Sequence, residues 1–478
     1  MAAPYFFYAS LRERCRQAVA KRRASLDNAN NPHEFSQSGI GMPRLTQQHS
    51  NLGWWTVWRR LGRYGTLIVV AGMTLWLAIA CSTSTPQTTL TIALPGIDAS
   101  RWRSLIDRFE QQHPDIHLAV TEAHESTDEL ETIYSDAFAD GATYDLVYAD
   151  IVWVPKFAAA GWLMPLGDRI SEDALADFLP NDRAGSYYND QLYRLPMRSD
   201  IGVLHYRQDL LQTANQPVPE TFDALLAAAE RLQAEDLVSW GYLWQGRPYE
   251  GLSATFAEVL AGYGGFWIDP ETLEIGLGQP EALQALEFLR QTIETGIAPE
   301  RVTSYSEEET YRLFQDGEAA FLRNWPETWA TVNSIDSDMG GKIAIAPVLH
   351  AEGQISRGCQ GGWGLAIAAN TDHPDAAWTA AQFFTSAEAQ RQLALEVGYL
   401  PSRRSLYTDP AIVQHYSYYP ELLDLMNQSV MRPAIPNYVQ VSEILQRYVH
   451  AALTDRLSPE QALAATVEET QTVLAGGS

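Results

Sequence analysis

The pattern of apolar and polar positions divides the 478-residue chain into an aperiodic start, one apolar run and a long periodic remainder. Met1 to Trp58 hold no sustained period and are rich in Arg, Gln, Asn and Ser. Arg59, Arg60 and Arg63 then precede an uncharged run from Gly65 to Ala80, which ends in Ala78-Ile79-Ala80-Cys81. From Thr88 onward, periods near 2 and near 3.6 alternate, the signatures of strands and amphipathic helices. Thr88–Pro95 and Asp115–Glu122 read as strands, and Tyr144–Asp150 as a buried strand ending on a carboxylate. Between them, helices are expected from Ser100, with Trp102, Leu105, Ile106 and Phe109 on one face, and over about Thr127–Asp140. This β-α-β-α-β order predicts a parallel-type sheet flanked by helices. Ligands of such sheets sit beyond the carboxyl ends of the strands, which points to Asp150 and to the loop after Pro95.

Further along, Leu192–Tyr206 reads as extended chain with Asp200 inside it. Helices are expected over Pro219–Leu232, Ser253–Tyr263 and Pro280–Gly296, and from a capping box at Ser306 to Gly317. Glu318–Trp329 reads as a strand entering a Trp-bearing turn, and Gly341–Pro347 and Gly364–Ala369 as strands. One long helix is expected over Pro374–Glu396, an extended segment over Leu400–Arg404, and helices again from Asp409 to Leu474.

The basic cluster, the apolar run and the small residues before Cys81 have the order of a secretory signal. A cysteine directly after the cut resembles the lipobox of bacterial lipoproteins, in which the thiol carries a lipid, so Cys81 is the expected lipidation site. A retained transmembrane helix is the alternative; the sixteen residues of the run would span about 24 Å against a hydrocarbon core of about 30 Å. Either way the chain after Cys81 lies outside the cytoplasmic membrane, in the periplasm or on the membrane's outer face. Residues 1–58 are then an extension, disordered or upstream of the true start, 59–81 the signal and 82–89 a linker.

Of 33 basic and 59 acidic residues, 10 and 3 fall in the first eighty positions, leaving 23 and 56 and a net charge near −33 on the exported part. Such a surface repels nucleic acid and anionic headgroups, so no nucleic-acid partner is expected. The three cysteines, Cys15, Cys81 and Cys359, leave no disulfide framework in a mature chain. No zinc spacing, P-loop, HExxH or GxSxG occurs, so neither metal nor cofactor is expected. Fourteen Trp and 22 Tyr exceed what a core needs, because each buried indole N–H or phenol must find a partner. Aromatic faces in an exported acidic protein suit the C–H faces of sugar rings.

Five stretches carry a resemblance: DIVWVPKFAAAGWLMPL at 150–166, GYLWQGRPYEGL at 241–252, FLRNWPETWA at 321–330, GGWGLAI at 361–367 and RPAIPNYVQVSEILQRYVHAAL at 432–453. In this order they resemble the family 1 extracellular solute-binding proteins, the receptors of sugar ABC importers, and the branch that takes trehalose and maltose. The resemblance implies an α/β, two-lobed periplasmic-binding-protein fold with hinge crossings and a ligand cleft between the lobes. It implies lobes of 90–199 plus 346–399 and 200–345 plus 400–478. It implies a non-enzymatic, monomeric, lipid-anchored receptor that hands a disaccharide to ABC permease subunits in the membrane. Sucrose or a glucosylglycerol-type solute is the alternative ligand, and an exported glycoside hydrolase the alternative function. Matching positions imply ligand contacts at Asp98, Asp150, Asp200, Trp325, Gly362, Trp363, Arg432 and Tyr438, with Tyr249 and Glu250 at the rim. Five of them have a plainer reading: Asp150 as a helix cap, Asp200 paired with Arg198, Arg432 in a salt bridge, the two tryptophans in a core. Arg198 replaces an aromatic of the family pattern, and acids at Glu129–Glu131 replace arginines, so the ligand stays open between these sugars.

Overall fold

One extended stretch of chain serves two sheets in turn, and this places the functional site. The computed structural model describes residues 87–123, 126–141, 144–333 and 337–476, all within the unit Ser84–Ser478. Cys81, the apolar run and the extension before it lie outside the described residues. The strands are β1 (Thr88–Pro95), β2 (Ile116–Ala123), β3 (Leu146–Asp150), β4 (Tyr187–Tyr188), β5 (Gln191–Leu192), β6 (Arg194–Ile201), β7 (Val203–Arg207), β8 (Trp240–Leu243), β9 (Ala319–Asn324), β10 (Ile343–Ala346), β11 (Gln360–Ile367) and β12 (Leu400–Pro401). Nine of the helices among the described residues frame the site and its support: α1 (Gly96–Arg101), α2 (Arg103–Gln112), α3 (Thr127–Ala139), α4 (Glu250–Gly262), α5 (Glu307–Gln315), α6 (Glu327–Val332), α7 (Pro374–Phe384), α8 (Ala387–Val397) and α9 (Tyr438–Leu453).

The first lobe is built on the sheet β12-β6-β11-β3, with the parallel pair β1–β2 beside it. Asp145 ties that pair on: its N–H donates to the Thr91 carbonyl at 3.1 Å, and its carboxylate accepts from the Thr91 amide at 2.8 Å. The second lobe is built on β10-β7-β9-β8. The parallel sheet expected from the β-α-β-α-β order is therefore mixed. β11 runs antiparallel to both β3 and β6, because it re-enters the first lobe from the second.

The helices follow from their apolar faces. In α3, Leu130, Tyr134 and Phe138 recur at four-residue spacing and are all buried. The Tyr134 hydroxyl satisfies strand ends, donating to the Ala93 carbonyl and accepting from the Tyr148 amide at 3.1 Å. Trp102 stacks on Phe384 and meets Tyr148 edge-on, joining the α1–α2 corner to α7. The helix expected from Ser100 starts at Gly96, directly after β1. The long helix expected over Pro374–Glu396 is two, α7 and α8. Thr385 turns its hydroxyl back to the Ala381 carbonyl, and Ser386 caps the Ala389 amide of the next helix.

The lobes join where β6 becomes β7. Only Gly202 separates them, and its N–H donates to the Cys359 carbonyl at 3.1 Å, at the start of β11. Val430 pairs with the same place, accepting from the Gln360 amide and donating to the Gly358 carbonyl. A Cβ at position 202 would stand 1.6 Å from Glu258 Oε1. That oxygen is fixed, because Glu258 pairs with buried Arg323 and accepts the Cys359 amide at 3.1 Å.

Candidate functional site

Three helices begin at one small cavity. Thr127, Glu250 and Glu307, the first residues of α3, α4 and α5, line it with Asp150 from the end of β3, Arg198 and Asp200 from β6, Trp325 after β9, and Gly361, Gly362 and Trp363 from β11. Gly251, Ala254 and Arg432 complete the wall. The register of β11 explains the grouping, since Trp363 pairs with Asp150 on one side and Arg198 on the other, and Gly361 with Asp200.

On one side, buried Arg432 bridges two elements. It donates through one terminal nitrogen to Asp150 Oδ1 at 3.2 Å and through the other to Glu250 Oε1. Asp150 also accepts the Val152 amide at 3.2 Å, so it caps the turn after β3 while facing the cavity. Glu250 further accepts from the hydroxyls of Tyr438 and Ser442, the latter at 2.7 Å. Burial pushes the Glu250 carboxyl up from its ordinary value, opposed by Arg432 and by the Tyr438 and Ser442 hydroxyls. Asp128, next to Thr127, is raised to about 7, first by burial and then by the Glu250 charge.

On the other side, one guanidinium serves three carboxylates. Arg198 donates to Asp200 Oδ2 at 2.7 Å and to Glu327 Oε1 at 3.4 Å, and stands 3.8 Å from Asp98 Oδ1. Its plane lies 4.2 Å from the centre of the Tyr399 ring, whose hydroxyl donates to Asp98. Asp200 is held well above the carboxylate range by burial, then by the Glu327 charge, against the pull of Arg198.

The aromatic walls are fixed from behind. Trp363 is half-buried, stacks on Tyr148 with centroids 4.7 Å apart, and meets Trp153 edge-on at 5.3 Å. Trp325 donates its indole N–H to Glu307 Oε1 at 3.2 Å, its ring lies over the Arg323 guanidinium, and its carbonyl meets His205 Nε2 at 3.0 Å. Tyr249 donates to the other Glu307 oxygen. Gly362 has φ +144°, and a Cβ there would sit 2.9 Å from buried Asp182, so the strand can pass only as glycine.

Of the ten expected contact residues, Asp150, Asp200, Glu250, Trp325, Gly362, Trp363 and Arg432 line the cavity. The other three stand one layer back: Asp98 behind Arg198, Tyr438 behind Glu250 and Tyr249 behind Glu307. Thr127 and Glu307 line it without having been expected there, and Arg198, expected as a departure from the family pattern that bears on the ligand, lines it too. Arg198 read as a partner of Asp200, which it is, and Glu307 as part of a helix start. The available signal was that each helix start follows extended chain or a loop, where first-turn groups face a cleft. The cavity has about 60 Å³ of room. Among the described residues, no group of three or more His, Cys, Asp or Glu is placed to hold a metal ion, and no helix is long and apolar enough to cross a membrane.

The profile of the family described as bacterial extracellular solute-binding protein matches residues 96–391. A probable ABC transporter-binding protein of Deinococcus radiodurans is 32% identical over 334 residues, covering 68% of this chain and 79% of that one. A maltotriose-binding protein of Pyrococcus abyssi is 28% identical over 315 residues, 65% of each chain. Among solved structures, maltose-bound MalE3 of T. maritima superposes with a TM-score of 0.77 at 34% identity, over 81% of this chain and 100% of that one.

Proposed function

The chain belongs to the bacterial extracellular solute-binding proteins, and from that premise we propose that it is the receptor of an ABC importer for a disaccharide such as trehalose or maltose. The observation that carries the reading is the cavity wall: two half-buried tryptophans, Trp325 and Trp363, among four carboxylates and two guanidinium groups, where the lobes meet. Indole faces suit the C–H faces of a pyranose, and fixed carboxylates and guanidinium groups suit its hydroxyls. In this reading Trp363 and Trp325 stack on sugar rings. Asp150, Asp200, Glu250, Arg198 and Arg432 hold hydroxyls, with the Gly362 backbone in close approach. Asp98, Tyr249 and Tyr438 orient the groups in front of them. The maltose in the T. maritima structure and the maltotriose in the P. abyssi protein's name support an α-glucoside. Sucrose and glucosylglycerol-type solutes remain within the same chemistry. The family is one of binding proteins rather than enzymes, so the carboxylates are hydrogen-bonding groups here and no hydrolysis is assigned.

Delivery requires a place beside the permease. Lipidation at Cys81 would tether a monomeric receptor to the outer face of the membrane through the short linker that follows. Cys81→Ser is expected to release the protein from the membrane fraction, and a variant that stays there would sink the tether. For the ligand, calorimetry with trehalose, maltose, sucrose and glucosylglycerol is expected to find one with a micromolar or tighter Kd, about −8 kcal/mol or better. Absence of heat and of any tryptophan fluorescence change across the panel would overturn the receptor reading.

A further inference from the structure

We propose that the best ligands of this cavity are cationic glycosides, carrying a protonated amine seated against Asp200; the inference rests on the glycoside reading above. The first observation is a charge imbalance. Asp150, Asp200, Glu250 and Glu307 line the cavity against Arg198 and Arg432. Arg432 is shared by Asp150 and Glu250. Arg198 is shared by Asp200, Glu327 and Asp98, at 2.7, 3.4 and 3.8 Å. Arg101 adds help from behind, through a 3.3 Å bond to the Tyr399 hydroxyl that also meets Asp98 and through its charge on Asp98 and Glu327, which leaves three carboxylates against two guanidinium groups on this side. Glu307 is hydrogen-bonded by Tyr249 and Trp325, and the Arg323 guanidinium that acts on it from behind Trp325 is already paired with Glu258. The positive ends of α4 and α5 do not restore the balance, because Glu250 and Glu307 themselves stand there.

The second observation is independent of the count. Asp200 Oδ1 is buried without a hydrogen-bond partner, on a residue 4% exposed that lines the cavity. A buried acceptor left unmade is costly, so the site is built to receive a donor there. A sugar hydroxyl would supply the hydrogen bond and leave the excess charge in place. An ammonium supplies both: its charge favours the ionised form of Asp200 that burial and Glu327 oppose, and the resulting charge-assisted bond is about twice as strong as a neutral one. The indole faces of Trp325 and Trp363 add attraction for a cation. Phosphorylated and uronic sugars meet the same wall as like charge and are excluded.

The test is calorimetry at pH 6, where a sugar amine is protonated, on trehalose and maltose and their mono-amino derivatives with the amine at C2, C3, C4 or C6. For at least one position the amine is expected to lower Kd about tenfold below the parent sugar. N-acetylation of that compound should remove the gain on the unaltered protein. Asp200→Asn, checked by its melting curve, should equalise amine and parent. If the parent sugars bind and every amino derivative binds no better, the inference is overturned and the receptor reading stands. If neither parents nor derivatives bind, both fall.

Discussion

Trp363 occupies a place that a hydrophobic core would not leave half-open, in a strand whose other faces are sealed. Its ring is held by Tyr148 and Trp153, so its exposed face is presented without further ordering. Trp363→Ala should therefore weaken sugar binding by at least about tenfold, and calorimetry showing unchanged affinity would remove the stacking role. Trp325 rests on a different support. Its carbonyl meets His205 Nε2, while His205 Nδ1 is buried without a partner. Burial, aided by the Arg323 charge, lowers this imidazole from 6.5 to about 4. A folded-state value below the unfolded one means that the stabilisation is fully present above about pH 6.5 and drains as pH falls toward 4. The amount at stake is on the order of 3 kcal/mol. Asp182, raised by burial to about 7, runs the other way, so the informative measurement is the difference in stability between parent and His205→Gln from pH 7 to 4. A difference that does not change with pH would refute the assignment. Which side chains face the cavity was only partly legible. Strand-end and Gly-Gly-Trp positions marked Asp150 and Trp363, but nothing in a linear pattern separates Glu250 in front from Tyr438 behind it.

At the scale of elements, the junction of β6 and β7 is the most constrained point. Gly202→Ala would drive Glu258 off Arg323, leaving a guanidinium buried without its partner. The expected loss is about 3–5 kcal/mol, read as a lower denaturation midpoint; an unchanged midpoint would show that Glu258 can move freely. The strands were mostly visible beforehand because their apolar runs are bounded by Gly, Pro and Asp. β1 has the limits expected, and β3 ends at the expected Asp150. The direction of β11 was not visible, since antiparallel entry depends on where the preceding 150 residues went and not on local pattern. The break between α7 and α8 was also hidden. The apolar period runs across it, and only the hydroxyls of Thr385 and Ser386 divide the helix. β8 leaves no readable signal, because four residues give too short a period.

At the scale of the molecule, the cavity and its proposed ligand do not match in size. About 60 Å³ holds a few waters, whereas sites for small molecules run to about 300–1,000 Å³. A disaccharide can therefore enter only if the lobes part, with Gly202 and the Cys359–Val430 contact as the pivot. Parting separates Arg432 from one of the carboxylates it bridges, Asp150 of the first lobe or Glu250 of the second. It also draws Asp128 on α3 away from Glu250 on α4 and opens it to water, and so relieves both the burial and the charge that hold it near 7. In the closed form this carboxyl binds a proton that it gives up when the lobes open toward its ordinary value near 3.8. Closure is thus favoured as pH falls through 7, and ligand affinity, which depends on closure, should rise about tenfold between pH 8 and pH 6. Small-angle scattering should show the ligand-free protein expanding as pH rises over the same range, and contracting when sugar is added. Asp128→Asn should flatten both responses. A pH profile of affinity that is the same with Asp or Asn at 128 would dissociate closure from this proton.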